Sequence, residues 1–298
     1  MLSVGTGRIG ASGGRGDNGR MTILVTGATG HVGRVVAGRL RAAGLPVRAL
    51  TRRPETARLP DGTEVVAGDL TDISTLPGGL FDDVDRVYLF PVPETTAAVM
   101  ERARAAGVRR VVTLSALAAE MDDGDNPLGD RHLAVERAVE AAGVEWTHLR
   151  PGPFAVNMLS WAPSIRAEGI VRAPYPESQQ APIHEADIAE VAVAALLEDG
   201  HAGAAYAMSG PESLTNTERV AAIGAAIGRE IRFEEQTPDE ARAQMRTYMP
   251  PPVADMMLEY QASTVGRPAP VLPGVERVLG HPGRTFAQWA ADHADDFR

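Results

Sequence analysis

Glycines 27, 30 and 33 of Thr26-Gly27-Ala28-Thr29-Gly30-His31-Val32-Gly33 lie between an apolar run, Thr22-Ile23-Leu24-Val25, and an amphipathic one. With a strand before it and a helix after it, this spacing suits a dinucleotide. It gives a tight turn, close backbone approach to a pyrophosphate, and phosphate charge at a helix N-terminus. The expected contacts are Gly27, Thr29, Gly30, His31, Val32 and Gly33. About twenty residues further on, an NAD site places a carboxylate on the ribose 2′-hydroxyl. Here the chain reads Leu50-Thr51-Arg52-Arg53, with no carboxylate before Glu55. Two guanidinium groups attract a 2′-phosphate and can bond it bidentately, so the expected cofactor is NADP(H), held by Arg52 and Arg53. Asp69-Leu70, just past the third apolar run, is placed to approach the adenine; an ordinary turn aspartate also explains Asp69.

The second stretch with chemical content is PLGDRHLAVERAV, residues 127–139. Leu128, His132 and Glu136 are spaced i, i+4, i+8 and share one helix face. No tyrosine or lysine occurs in it; all 29 basic residues of the chain are arginine. Lysine bases, lysine Schiff bases and a P-loop lysine are therefore excluded. Zero cysteines exclude thiolate nucleophiles and cysteine metal sites, and fit a reducing cytoplasm. His184, in Pro182-Ile183-His184-Glu185-Ala186-Asp187, either faces a substrate pocket or is a polar residue at a helix start. It lacks the H-E-x-x-H spacing of a zinc site, so no metal is expected. His148 alternates within a strand and reads as structural. Gly10-Ala11-Ser12-Gly13-Gly14 matches a nucleophile-elbow pattern, but without a strand before it or a helix after it the match carries no weight.

Short apolar runs near 22–26, 46–51, 64–67, 85–90, 110–114 and 145–149 alternate with helical patterns. That alternation implies right-handed βαβ crossovers, and hence an α/β fold with a doubly wound parallel (Rossmann) sheet. After Arg150-Pro151, proline-rich connections separate an apolar stretch, a helix near 185–198, a strand near 204–209 and a helix opened by Thr215 and Glu218, a capping-box pair. The expected organisation is a disordered extension over 1–20, an NADP-binding domain over 21–152, and a smaller, mostly helical C-terminal lobe over 153–298 with segments returning to the core. A net charge of -10 argues against nucleic acid as the partner, and no apolar run approaches a membrane span.

The glycine motif, GDLTD at 68–72, Ser115 after the fifth strand, LRPGPFAVN at 149–157 and the tail VLGHPGRTFAQWAADHADDF together resemble the short-chain dehydrogenase/reductase superfamily, in its NmrA-like branch. The resemblance covers about residues 21–298. Typical members carry Tyr-x-x-x-Lys on the helix after the fifth strand, with a glutamate four residues beyond the lysine. Aligning that glutamate with Glu136 puts His132 at the lysine position and Leu128 at the tyrosine position. Ser115 keeps its family type and is the expected catalytic partner of His132; a turn or cap serine is the alternative. His132 either bonds the nicotinamide ribose or pairs with Glu136.

The resemblance implies an NADPH-dependent reductase of a ketone or quinone carbonyl that manages without the tyrosine acid, such as an aromatic polyketide of antibiotic biosynthesis. The alternative is a non-catalytic NADP(H)-sensing regulator of the NmrA type. The enzyme is favoured, because the family includes active reductases lacking the pair. The partner is then a small aromatic or quinone-like molecule, and the oligomeric state stays open. Phe154, Asn157, Met158, Trp161 and His184 are expected at the substrate, with Met208 lining an apolar pocket.

Overall fold

The computed structural model describes residues 21–120 and 126–298. The expected extension over 1–20, with its Gly10–Gly14 pattern, lies outside the described residues. In the first half the order is β1 (Thr22–Val25), α1 (His31–Ala42), β2 (Val47–Thr51), β3 (Glu64–Ala67), β4 (Val84–Leu89), α2 (Thr96–Ala105), β5 (Arg110–Leu114), α3 (Pro127–Ala141) and β6 (Glu145–Pro151), with single 3-10 turns in place of helices on either side of β3. There follow α4 (Ala162–Glu168), β7 (Ile170–Ala173), β8 (Gln179–Gln180), α5 (Glu185–Leu197), β9 (Ala204–Met208), β10 (Leu214–Thr215) and α6 (Asn216–Ile227). The chain ends with β11 (Arg232–Glu235), α7 (Pro238–Met245), α8 (Pro251–Ser263), α9 (Gly274–Leu279), α10 (Phe286–Asp292) and α11 (Ala294–Phe297).

Seven strands form one parallel sheet in the order β3-β2-β1-β4-β5-β6-β9. Both faces are covered at the centre of the sheet, where every residue of β1 and β5 is buried, while the edge strand β3 is largely exposed. Successive side chains divide between the faces. Ile23 and Val25 pack with α1 and α5 through Val36, Leu40, Ile188 and Val191, while Leu24 joins Val99, Met100 and Val139 of α2 and α3 opposite. The chain leaves the sheet after β6 and returns to it: α5 lies against α1, and β9 completes the sheet beside β6.

The lobe has a separate core in which Val220 and Ile223 of α6 meet Phe286, Trp289 and Phe297, with Ala155, Ile165 and Val171. Two small two-stranded pairings, β8 with β10 and β7 with β11, brace an otherwise helical lobe. The capping box expected at α6 is present: Thr215 accepts from the Glu218 N–H, and the Glu218 carboxylate accepts from the Thr215 N–H. No helix among the described residues is long and apolar enough to cross a membrane.

Ion pairs fasten the C-terminal helices to α5. Arg284 pairs with buried Asp187 and with Glu190, and His293 joins Glu185 at 2.7 Å and Asp296 at 2.8 Å. Hydrogen bonding to Glu185 and Asp296 raises the pKa of His293, against its partial burial. For Glu185, burial opposes ionisation, but the flanking imidazoles outweigh it and hold the carboxyl well below the ordinary range. The raised imidazole contributes stability that is full below about pH 6.5 and lost as pH rises through its folded value; the depressed carboxyl contributes above about 4.3. Replacing His293 with Gln should therefore lower stability by about 1 kcal/mol near pH 5.5, with the two proteins converging in alkali. Thermal midpoints measured across pH check this, and a constant difference up to pH 9 would contradict it.

Candidate active site

A parallel sheet brings the carboxyl ends of its strands to one edge, and the residues after β1, β2, β4, β5 and β6 meet there. After β1, Gly27 has φ +60°, and a Cβ on it would lie 3.0 Å from Phe90. A Cβ on Gly33 would collide with the carbonyl of Gly27. Gly30 caps α1, its N–H donating to Gly27 at 2.9 Å; no side chain caps this helix and its first turn holds no acid. The first N–H groups of a helix have no partner within it. Here they face a cradle that only glycines leave open, so the turn fits a pyrophosphate.

Arg52 and Arg53 follow β2, exposed, and their guanidinium groups make no hydrogen bond or ion pair among the described residues. Both therefore remain available to a 2′-phosphate. Asp69 is a turn residue: its carboxylate accepts from the N–H and hydroxyl of Thr71, both at 2.9 Å, which holds its pKa below the ordinary value. Leu70 is buried beside it. Val32 is buried under the turn, whereas Thr29 and His31 are exposed on it.

The sequence reading missed Thr26 and Phe90. Phe90 follows β4 with 44% of its surface exposed and its ring against Gly27; its N–H donates to the Thr26 hydroxyl at 2.7 Å, and that hydroxyl donates to Tyr88. The available signal was one large apolar residue directly after an apolar strand, at the glycine-turn edge.

Behind this edge lies a buried polar network. The Ser115 hydroxyl donates to Glu136 at 2.5 Å, and Arg150 grips Glu136 with two bonds of 2.9 and 2.6 Å while reaching Glu120 at 2.9 Å. Burial raises the Glu136 pKa, but Arg150 and Ser115 more than offset it, so the carboxylate stays ionised. The expected alternative of a His132–Glu136 pair does not form, because both Glu136 oxygens are occupied from β5 and β6. His132 Nδ1 is enclosed with no hydrogen-bond partner among the described residues, and burial holds its pKa below normal, so the ring is neutral at pH 7. Leu128, at the tyrosine position, is 39% exposed. Polar atoms of Glu136, Glu140 and His148 gather within 4.8 Å, but the Arg150 cation already neutralises Glu136.

After β6, Phe154 bridges to Ile183, and a 3-10 segment, Ala155–Trp161, brings Met158 and Trp161 half-buried against the lobe while Asn157 is exposed. Two expectations need correction. His184 caps α5: its Nδ1 accepts from the Ala186 N–H at 3.1 Å and its Nε2 faces Asp292 at 3.3 Å, so neither nitrogen is left for a substrate. Met208 is fully buried in the sheet core rather than lining a pocket. A groove at Met21, Pro46 and Asp83 opens at the amino ends of the strands, opposite the glycine turn.

Residues 27–199 match a family model described as NAD(P)H-binding. The chain belongs to this family, among the NmrA-like atypical short-chain dehydrogenase/reductases. It is 45% identical to the (4-alkanoyl-5-oxo-2,5-dihydrofuran-3-yl)methyl phosphate reductase of Streptomyces griseus subsp. griseus, over 92% of this chain and 99% of that one. It is 37% identical to the NAD(P)H azoreductase of Xenophilus azovorans over the same shares. An NADPH-dependent quinone oxidoreductase of Escherichia coli superposes with a TM-score of 0.73 at 25% identity, covering 91% of this chain and 99% of that one. The Citrobacter triphenylmethane reductase complexed with NADP(H) gives 0.74 at 22%, covering 92% and 100%, and shares the fold. The chain is an oxidoreductase that binds NAD(P)H, and solved neighbours of its fold hold NADPH or NADP(H). The regulator alternative gives way to the enzyme.

Proposed function

We propose that this enzyme reduces conjugated acceptors, quinones or acyl-furanones, whose reduced anion is stabilised by its own resonance. The carrying observation is the α3 face, where Leu128 and a neutral His132 stand in place of an acid and a cation. The Ser115 proton is already engaged by Glu136. No group on this face supplies a proton with the drive of a tyrosine beside a lysine. General acid catalysis contributes on the order of 10² to 10⁴ in rate, so a simple ketone loses that factor. A quinone gives a phenolate and a furanone carrying two carbonyls gives an enolate, and neither needs an acid in the slow step. The furanone phosphate, azo and quinone substrates named for the relatives are all of this electron-poor, conjugated kind.

Bound NADPH supplies the hydride. The glycines at 27, 30 and 33 admit its pyrophosphate, Arg52 and Arg53 hold the 2′-phosphate, and Phe90 covers the turn. His132, neutral and with Nδ1 enclosed, accepts from or donates to the nicotinamide ribose through Nε2 according to its tautomer. Phe154, Met158 and Trp161 exclude water from the acceptor, and Asn157 orients it by a hydrogen bond. The proton that completes the product comes from solvent. The streptomycete relative favours a place for this reaction in secondary metabolism.

Loss of NADPH absorbance tests the assignment. Naphthoquinone and an acyl-butenolide should be turned over, while an unconjugated cyclic ketone should react at least about 10²-fold more slowly. Equal rates on the simple ketone would require a proton donor that this site lacks, and would refute the reading.

A further inference from the structure

Arg219 of α6 is a buried cation without a counter-ion. Only 2% of its surface is exposed, and it has no carboxylate within ion-pair distance among the described residues. Two other enclosed arginines have carboxylate partners: Arg110 with Glu145 and Asp199, and Arg150 with Glu136 and Glu120. Arg219 instead donates to the Thr215 carbonyl at 3.3 Å, to Gln180 at 2.8 Å and to Asn216 at 2.5 Å. Its remaining partners are the Met158 sulfur at 3.6 Å and the Trp161 ring, whose centroid is 5.9 Å from the guanidinium carbon. Burial pushes its pKa down to about 10, leaving it charged at neutral pH.

Burying a charge without an opposite charge is costly, and groups so disfavoured concentrate where a ligand completes them. Two of its neighbours, Met158 and Trp161, lie on the 3-10 segment that follows the sheet edge, and both are partly exposed. The thioether is the weakest acceptor in the set. Tyr260 of α8 lies near enough for it and Arg219 to shift each other's proton affinity, and its hydroxyl has no hydrogen-bond partner among the described residues. Among the described residues, a cation lacking a carboxylate thus lies behind the segment that carries Met158 and Trp161, with the Tyr260 hydroxyl near enough to feel its charge.

We propose that Arg219, with Tyr260, seats an anionic oxygen group of the substrate, a phosphate or comparable anion, which displaces the Met158 thioether from the guanidinium. This names the substrate class of the reductase proposed above and rests on that reading. The acceptor is then an electron-poor conjugated system carrying an anionic arm, its reducible carbon towards the glycine-turn edge and its charge in the lobe. The chemistry agrees with the phosphate named in the substrate of the 45% identical relative. Charge recognition here acts on binding rather than on hydride transfer, so KM should carry the effect.

The test compares naphthoquinone with its sulfonate as acceptors, and titrates phenyl phosphate, which cannot be reduced, into the NADP⁺-loaded protein by calorimetry. In Arg219→Gln, KM for the sulfonate should rise about tenfold, the loss of one charge-assisted contact, with KM for naphthoquinone within about twofold of wild type. Phenyl phosphate affinity should fall by the same factor. Tyr260→Phe, which removes only a hydroxyl, should shift the same two quantities in the same direction by roughly threefold. Equal rises in KM for both quinones, or unchanged phenyl phosphate affinity in both variants, would assign Arg219 to lobe structure alone and overturn the proposal. If neither quinone were reduced while phenyl phosphate binding still depended on Arg219, the acceptor class would fail and the anion seat would stand. Binding of inorganic phosphate as tight as phenyl phosphate, and equally dependent on Arg219, would show a site for free phosphate and overturn the substrate role.

Discussion

Replacing Arg52 and Arg53 together with Ser should weaken NADPH binding by roughly 10² to 10⁴ while changing NADH binding by less than about threefold. Each guanidinium offers a charge-assisted contact of about 1.5–3 kcal/mol to a phosphate, and each 1.4 kcal/mol is a factor of ten. The 2′-phosphate is the only group distinguishing the cofactors, so the loss falls on NADPH alone. Geometry supports availability: both side chains are exposed just after β2, and neither makes a hydrogen bond or ion pair through its guanidinium among the described residues. Arg52 lies only within electrostatic reach of Asp69, and neither change touches the core. The fold should therefore remain unaltered, which the thermal midpoint checks. Calorimetric titration with each coenzyme is the measurement. Equal weakening of NADPH and NADH would show that the arginines act on a shared part of the cofactor or on the fold. Retention of NADPH affinity would place the phosphate elsewhere.

The cofactor turn was legible because its signal is local. Glycines at 27, 30 and 33 do the same work in the sequence as in the structure, and the pair at 52 and 53 needs only the end of β2 to place it. The seven strands of the large sheet were legible for the same reason, as short runs rich in apolar residues between turn residues, whereas the short lobe strands β7, β8, β10 and β11 were not read. The α3 face was only half legible. Spacing put Leu128, His132 and Glu136 on one side of a helix, but the partner of Glu136 is Arg150, on a strand that joins it only through the sheet. An i, i+4 neighbour lost to a tertiary one. His184 misled for the opposite reason, since its role is a local cap, and Asp292, which occupies its other nitrogen, lies 108 residues away. Arg219 was invisible: an arginine in an amphipathic helix reads as a solvated residue, and only packing against Trp161 and Met158 shows it to be buried.

Glu136→Ala should be the most destabilising single change at the candidate site, at about 3–5 kcal/mol, because it leaves a buried cation without its main partner. Glu136 is 2% exposed, and its two oxygens satisfy both the Arg150 fork and the Ser115 hydroxyl. Removing it strands two donors on two strands, and Glu120, which bonds a different Arg150 nitrogen from a more exposed position, does not replace it. The folded carboxyl titrates below its ordinary value, so its contribution is full above about pH 4.3 and is lost as pH falls through the folded pKa. Wild type and variant should accordingly differ most near neutrality and converge in acid. Removing both charges tests the cause: Glu136→Met with Arg150→Met should recover much of the loss, since a buried pair replaced by apolar groups is often neutral or better. Denaturant unfolding of the three proteins at neutral and acid pH measures it. A Glu136→Ala cost below about 1 kcal/mol would mean that water reaches Arg150, and a double variant no better than the single would mean that the network is held by packing rather than charge. In the Glu136→Ala variant itself the Ser115 hydroxyl loses its acceptor, so the rate of that variant on a simple ketone checks whether engagement of this proton restricts the substrate range.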